Sequence, residues 1–430
     1  MDWSFLIRNK DSLLVSTDTR NLPAGCVFFA LHGERFDGNK FALQALEQGA
    51  SLAVIDDPEV FSTLNSQHSY TSSESDRSSE SEIRTLNSQL LLVENTLLAL
   101  QDLARAWRRE LGLPIIGVTG TNGKTTTKEL LATVLSTKYN IHYTQGNLNN
   151  QIGVPLTLLQ ITRAHEMAIV EMGASHPGDI KELVEIAEPN YGLITNVGRA
   201  HLEGFGSFEG VQNTKQELYD YLVAHNGTIF RNTDNPYLMR MHEKALNSQL
   251  STLNSQQVAY ATGSMPSGTH LVGGYNAENV SAAICVGECF GVSREQALEA
   301  IRQYVPTNNR SQKMQTANNQ LIVDAYNANP TSMQAAINAF KGDTYILGAM
   351  RELGEYSRLE HQNIVNMLAE RKADMVFLVG EEYLQTTSPY PVFVTVEELH
   401  AYLEQHPLRD RYILLKGSRS TKMETLLDIL

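Results

Sequence analysis

Short apolar runs alternate with helix-spaced apolar residues along most of the 430-residue chain. Residues 26–31 and 51–56 read as buried strands on either side of a helix over 41–48, which Gly49 stops. Residues 90–93 read as a further strand. Over 97–110 the residues Leu97, Leu98, Leu100, Leu103, Ala104 and Trp107 share one side of an amphipathic helix that opens a second block. Within that block Ile115–Thr119, 168–170 and 192–195 are short apolar strands next to helical stretches, an alternation that favours a parallel sheet. Residues 321–324, 344–347, 375–379 and 412–415 repeat the pattern and predict a second doubly wound domain. The reading is an α/β protein of three domains, over residues 1–94, 95–308 and 309–430.

Two stretches break the pattern. Residues 62–89 are rich in Ser, Thr, Asn, Gln and Glu and have too little apolar surface to order themselves. The tetrapeptide Leu-Asn-Ser-Gln recurs at 64–67, 86–89, 246–249 and 253–256, too few and too scattered for a solenoid. One low-complexity element inserted into two surface loops, at about 62–89 and about 246–256, accounts for the recurrence. Proteolysis is then expected first at 68–82 and 247–256.

Charge and cysteine content narrow the class. A net charge of −14 argues against a nucleic-acid or membrane-surface partner, so an anionic substrate must be met by local basic residues. No apolar run approaches ~18 residues and Met1-Asp2-Trp3-Ser4 lacks a basic leader, so neither membrane insertion nor a signal peptide is expected. Of the three cysteines, Cys285 and Cys289 fall at helical spacing and read as a reduced, buried helix face. No Cys/His spacing suggests zinc. A cytoplasmic, thiol-reduced protein is expected.

The strand Ile115–Thr119 runs into Gly120-Thr121-Asn122-Gly123-Lys124-Thr125-Thr126. Glycines there let backbone N–H groups cradle phosphate oxygens at a helix N-terminus. Lys124 would reach the terminal phosphates and the Thr125 hydroxyl a Mg²⁺ ion. Val118 stands where the longer form of this loop has its first glycine. Downstream, Glu171 ends an apolar strand, His201 follows another, and Lys215 lies on a helix. Ligands bind at the carboxyl ends of such strands. Taken singly, each also reads as a salt-bridged carboxylate, a structural histidine or a solvated lysine.

Together these segments resemble the Mur ligases, the ATP-dependent amino-acid and peptide ligases of peptidoglycan precursor synthesis. The resemblance covers the chain outside the two inserts. It includes the short phosphate loop, residues 144–155, Val170-Glu171-Met172-Gly173, Asn196 to His201, Asn276-Ala277-Glu278-Asn279 and Leu415-Lys416-Gly417-Ser418-Arg419. Tyr326-Asn327-Ala328-Asn329-Pro330-Thr331-Ser332-Met333 resembles the member that adds the dipeptide D-alanyl-D-alanine. Segments 16–20 and 30–38 resemble that member's uridine-nucleotide domain.

The resemblance implies a small uridine-nucleotide-binding domain, a central P-loop ATPase-like parallel sheet domain and a Rossmann-like C-terminal domain that binds the dipeptide and closes over ATP. The implied reaction joins D-alanyl-D-alanine to a UDP-linked muramoyl tripeptide through an acyl phosphate. It implies catalytic roles for Lys124, Glu171, His201 and Lys215. Two Mg²⁺ ions are implied near Thr125, Glu171, His201 and Lys215, with Lys215 carbamylated so that it offers oxygen instead of an ammonium. ATP is implied to contact Gly120, Thr121, Asn122, Gly123, Lys124, Thr125, Thr126, Asn276, Asn279, Arg310 and Asp324. The uridine-linked substrate and the dipeptide fall to Ser16, Asp18, Thr19, Arg20, Gly33, Asn147, Asn149, Asn327, Asn329, Lys416 and Arg419. Interdomain or helix-end contacts are an equal reading for Asn327, Asn329, Lys416 and Arg419. A monomer is implied.

Two positions depart from the pattern: Tyr275 stands where relatives often have His, and Ala349 where they often have Asp. Tyr275 suggests altered nucleotide contacts through a stacking aromatic. Ala349 weakens any catalytic role at that position. A ligase adding a single amino acid, a folylpolyglutamate-type ligase and a non-catalytic precursor-binding module stay open as alternatives. The third residue of the acceptor tripeptide, diaminopimelate or lysine, is not legible.

Overall fold

The computed structural model describes residues 1–33, 36–67, 89–248 and 256–430. Its chain divides into two compact units. The first comprises Met1–Ile115, Asn140–Val170 and Glu182–Glu188, and the second Ile116–Tyr139, Glu171–Lys181 and Pro189–Leu430.

In the first unit the strands Val15–Ser16, Val27–Phe29, Leu52–Ile55 and Leu90–Leu92 form a parallel sheet in that order. Val27–Phe29 and Leu52–Ile55 are buried at every position, as continuous apolar runs in a parallel sheet must be. Phe28, Ala42, Ala45, Ala53, Ile55 and Leu64 pack as its core. The helix Thr96–Leu111 also falls in this unit. Asn95 caps it by accepting from Leu98 N–H at 2.9 Å, and Gly112, at φ 64°, ends it. Its apolar stripe is buried, and Trp107 donates to the Ile161 carbonyl at 2.8 Å. Ile141–Tyr143 pairs in parallel with Met167–Glu171.

In the second unit Gln256–Tyr260, Thr228–Asn232, Tyr191–Ile194 and Ile115–Thr119 pair in that order, all parallel. The carboxyl-terminal sheet runs Gln312–Gln315, Gln320–Asp324, Tyr412–Lys416, Thr344–Gly348, Met375–Val379, Val392–Phe393. Only its first pairing is antiparallel. Helices cover both faces. Met333, Ile337, Ile364 and Leu368 pack on one, and Leu399, Leu403 and Leu426 on the other. Each fully buried Leu or Ile contributes roughly 1.5–3 kcal/mol. Asp324, Lys416 and Gly348 end adjacent strands, so the carboxyl edge of this sheet gathers polar groups.

Three expectations are corrected. The stretch beginning at Ser62 is not without structure throughout, because the helix Pro58–Gln67 carries the first Leu-Asn-Ser-Gln copy. Leu64 anchors that turn in the core, so one buried leucine overrides a polar composition. Residues 246–248 likewise belong to the helix Pro236–Ser248. The expected cutting site at 68–82 and, of the one at 247–256, residues 249–255 lie outside the described residues. Cys285 and Cys289 share the helix Asn276–Cys289 but not a buried face, since Cys285 is half-buried and Cys289, on the last turn, is exposed. The strand Gln312–Gln315 has no apolar run to announce it. It lies at a sheet edge, where one side needs no burial.

Candidate active site

Glycine is demanded at both turns of the phosphate loop. Gly120 has φ 140° and Gly123 φ 80°. A Cβ at Gly120 would lie 2.0 Å from Thr195 Oγ1, and one at Gly123 2.6 Å from Asn279 Oδ1. The helix Lys124–Leu135 begins immediately after, with Thr125 buried and Thr126 half-buried in its first turn. The segment after Tyr191–Ile194 holds the loop from behind. Thr121 N–H donates to the Asn196 carbonyl at 2.9 Å and Asn122 N–H to Asn196 Oδ1 at 3.0 Å. Thr195 Oγ1 donates to the Asn122 carbonyl at 2.6 Å. Lys124 Nζ donates to the carbonyls of Gly120 at 2.8 Å and Thr121 at 3.0 Å, so its ammonium lies along its own loop.

Cations gather here. Burial lowers the Lys124 pKa; Glu171 opposes the shift and Arg310 adds to it. Burial also lowers the pKa of Lys128, which is 2% exposed one helical turn beyond; Glu171 and Glu129 oppose that shift and Arg310 adds to it. Lys124, Lys128, Arg310 and Glu171 therefore share one electrostatic neighbourhood inside a chain of net charge −14. A polyanion is the ligand such an arrangement suits. The guanidinium of Arg310 stacks 3.8 Å over the Tyr326 ring, and Arg419 lies 5.4 Å from the same ring. Arg310 Nε is buried without a hydrogen-bond partner.

Lys215, on the helix Phe208–Ala224, is 2% exposed. Burial pushes its pKa well below the usual lysine value, and Lys124 pushes it the same way. Its Nζ lies 5.6 Å from the centre of the Phe205 ring. His201 packs edge-on against that ring at 6.2 Å, so Phe205 brings His201 and Lys215 together. His201 Nδ1 is paired with Glu352 from the loop after Thr344–Gly348. This contact with His201 holds the Glu352 carboxyl below its usual pKa, with a further contribution from His176.

The carboxyl edge of the third sheet meets the loop. Asn329 caps the helix Pro330–Ala339 by accepting from Ser332 N–H at 2.9 Å. Its Nδ2 donates to Asn122 Oδ1 at 2.8 Å, so one carboxamide caps a helix and touches the phosphate loop. Asn327 Oδ1 accepts from Ala328 N–H at 2.8 Å.

Some expected site residues have protein partners instead of open faces. Lys416 is 1% exposed and its Nζ pairs with Asp324 at 2.6 Å. Its ammonium is thus committed to Asp324, which also accepts from Ser311 N–H at 3.1 Å. Asn279 accepts from Thr127 Oγ1 at 3.0 Å and donates to Asn276 at 2.8 Å. Both asparagines are buried and brace the loop's helix. The Tyr275 hydroxyl bonds Ser311 Oγ at 2.5 Å, so the departure at this position ties the helix Asn276–Cys289 to the start of the third sheet. Burial and nearby Asp324 raise its pKa. Ala349 is fully buried, and a Cβ on Gly380 would lie 2.6 Å from its Cβ, leaving little room for a longer side chain.

The uridine candidates are more open. Asp18 caps the turn Thr19–Asn21 by accepting from Arg20 N–H at 2.9 Å, and its carboxylate pairs with the Arg20 guanidinium at 2.5 Å. Those bonds to Arg20 lower the Asp18 pKa to about 2. Ser16 Oγ accepts from Asp18 N–H at 3.1 Å. Gly33 is exposed in the short ladder His32–Gly33 with Phe36–Asp37. Asn147 and Asn149 lie on the loop before the helix Gly153–Leu159.

Sequence reasoning passed over several groups. Asp56 accepts from Asn39 Nδ2 and Thr96 Oγ1, each at 2.9 Å, and pairs with His32 at 3.2 Å. Lys128 was legible one turn after Lys124 on the same helix. Tyr326 and Glu352 gave no signal, because their roles depend on what the sheet brings to them.

The fit to Mg²⁺ follows from the donor types. Among the described residues no three His, Cys, Asp or Glu side chains are grouped to hold a metal. The hydroxyl of Thr125 and the carboxylate of Glu171 are hard oxygen donors. Mg²⁺ takes few protein ligands and completes its shell with phosphates and water, so these two residues fit it.

A glycine-rich phosphate loop at a strand–helix junction, with buried cations around it and a second doubly wound sheet, defines a nucleotide-binding α/β enzyme of the phosphate-loop class. The chain matches the models of the Mur ligase family catalytic domain over residues 14–108, the Mur ligase middle domain over 118–287 and the Mur ligase glutamate ligase domain over 309–419. It is 33% identical to the UDP-N-acetylmuramoyl-tripeptide–D-alanyl-D-alanine ligase of Bacillus subtilis (strain 168), over 96% of this chain and 92% of that protein. MurF from Acinetobacter baumannii superposes with a TM-score of 0.78 at 29% identity, covering 96% of this chain and 92% of that one. MurF ligase from Thermotoga maritima, solved in complex with ADP, gives 0.78 at 25% identity with 97% of each chain covered. The chain belongs to the Mur ligase family, with that family's three α/β domains.

Proposed function

We propose that the chain is an ATP-dependent ligase of peptidoglycan precursor synthesis that joins D-alanyl-D-alanine to a UDP-linked muramoyl tripeptide. The observation that carries this reading is the bond from Asn329 to Asn122. It links the dipeptide-type segment at 326–333 to the phosphate loop. In this reading residues 1–94 take the uridine nucleotide, 95–308 hold ATP, and 309–430 bind the dipeptide and close over ATP. The protein acts as a monomer.

A carboxylate is a poor electrophile. ATP transfers its γ-phosphoryl group to the tripeptide carboxylate, giving an acyl phosphate and ADP. The dipeptide amine attacks the acyl carbon, and the tetrahedral intermediate expels inorganic phosphate. Two anions must first approach one another, so positioned cations supply most of the rate. Lys124 leaves its loop carbonyls for the β- and γ-phosphates. Arg310, oriented by Tyr326, adds charge from the third sheet. Mg²⁺, held by Thr125 and Glu171, with a second ion near Glu171, His201 and Lys215, would neutralise the phosphates when bound. Asp324, kept in place by Lys416 and Ser311, faces the nucleotide ribose. Closure of the third domain keeps water from the acyl phosphate.

The depressed pKa of Lys215 supports carbamylation, because only a neutral amine attacks CO₂. Lys215→Ala should abolish activity, and short carboxylic acids should restore part of it. Full activity in that variant would sink the assignment.

Purified protein with Mg²⁺-ATP should release phosphate only when both the tripeptide nucleotide and D-alanyl-D-alanine are present. Phosphate release with a single amino acid but not the dipeptide would overturn the reading. Comparing diaminopimelate- and lysine-containing acceptors in the same assay identifies the third residue.

A further inference from the structure

His201 sits in a left-handed backbone conformation, φ 49°, at the start of the helix Leu202–Phe205. Facing it, Glu352 is also left-handed, at φ 61°. Neither residue is glycine, and such conformations persist where the surroundings hold them. The surroundings of Glu352 are fixed on both sides. Met350 N–H donates to His361 Nε2 at 3.0 Å, and His361 Nδ1 bonds the Ser357 carbonyl at 2.7 Å. Arg351 N–H donates to Ser418 Oγ at 3.2 Å, and the Arg351 guanidinium pairs with Glu382. Met350 and Leu353 are buried in the core of the third sheet. A rigid turn thus presents one carboxylate to His201 Nδ1, while Phe205 supports the ring edge-on.

We infer that Glu352 is a positioning residue: it fixes the His201 ring orientation and its Nδ1–H tautomer, leaving the lone pair on Nε2. A carboxylate on the far nitrogen of a functional histidine does this generally. Because Glu352 belongs to the third sheet and His201 to the segment after Tyr191–Ile194, the ring is set only when the third domain is seated. The adjoining contacts agree. Arg199 N–H donates to Thr331 Oγ1 at 3.0 Å, and Arg199 Nη1 pairs with Glu360 at 3.1 Å. Domain seating and site assembly become one event. The inference rests on the ligase reading for its consequence, though not for its geometry.

The test uses full-length protein carrying Glu352→Ala, Glu352→Gln or Glu352→Asp. Long-range ¹H–¹⁵N correlation of the imidazole, recorded without Mg²⁺ or ATP, reads the tautomer. The unmodified protein and Glu352→Asp should show His201 protonated at Nδ1, and Glu352→Ala should shift toward Nε2–H. In turnover, the half-saturating Mg²⁺ concentration should rise about 10-fold or more in Glu352→Ala. Glu352→Asp should recover most of that loss. Thermal unfolding should not move, since the Glu352 side chain is 59% exposed. An unchanged tautomer in Glu352→Ala overturns the inference whatever the activity. Unchanged Mg²⁺ dependence with an altered tautomer overturns its functional half. A chain without ligase activity overturns the parent reading, and the tautomer then decides the positioning claim alone.

Discussion

The phosphate loop and the uridine-type turn at 16–20 both bring polar side chains to strand ends, yet they are built differently. At the turn, Ser16, Asp18 and Arg20 bond one another within four residues of chain, in the open. At the phosphate loop, Asn122 is held by Thr195, Asn196 and Asn329, all far away in sequence. The first can bend without disturbing the fold; the second is one junction of several elements. Chemistry on phosphates needs groups fixed before the substrate arrives, because reorganising them during reaction would raise the barrier. Nucleotide capture can use adjustable surface groups.

That contrast is open to experiment. Lys124→Met should lower kcat by about 1000-fold or more, as removing a transition-state charge does, with circular dichroism unchanged. Retained turnover would deny the loop its catalytic place. Asn329→Ala removes a helix cap worth about 1 kcal/mol together with the bond to Asn122. The melting temperature and kcat should fall together. A fall in one alone would show that the cap and the loop contact are separable. Asp18→Ala should raise the KM for the uridine-linked substrate several-fold, leaving the ATP KM and the urea midpoint unchanged. Equal damage to all three would erase the difference between the two regions.

A smaller effect concerns pH. Burial, and then His165, push the His142 pKa down to about 4. The unfolded chain takes up this proton near pH 6.5 and the folded chain only near 4, so acid favours unfolding across that window. Stability should fall as pH drops from about 6.5 to about 4, and His142→Phe should flatten part of the fall, read as urea midpoints. An identical slope would acquit His142.

Much of this was legible in the chain. The strands Ile115–Thr119, Tyr191–Ile194 and Met375–Val379 announced themselves as apolar runs, because a parallel sheet buries both faces of its strands. The edge strand Gln312–Gln315 did not, since a single buried side leaves a mixed pattern. Leu64 drew polar neighbours into a helix that composition had argued against. Lys416 read as a candidate for a substrate carboxylate, and folding gave it Asp324 instead.

The sequence by itself determined the phosphate loop, its helix, the order of strands and the family, because these depend on neighbours within a few residues or on short ordered motifs. Only the tertiary structure decided which side chains are spent on one another. Lys416 with Asp324, Asn329 with Asn122 and Glu352 with His201 are pairs that no local pattern encodes. The first exists because a parallel sheet brings the carboxyl ends of distant strands side by side, and the other two because loops at the carboxyl ends of the central and third sheets meet.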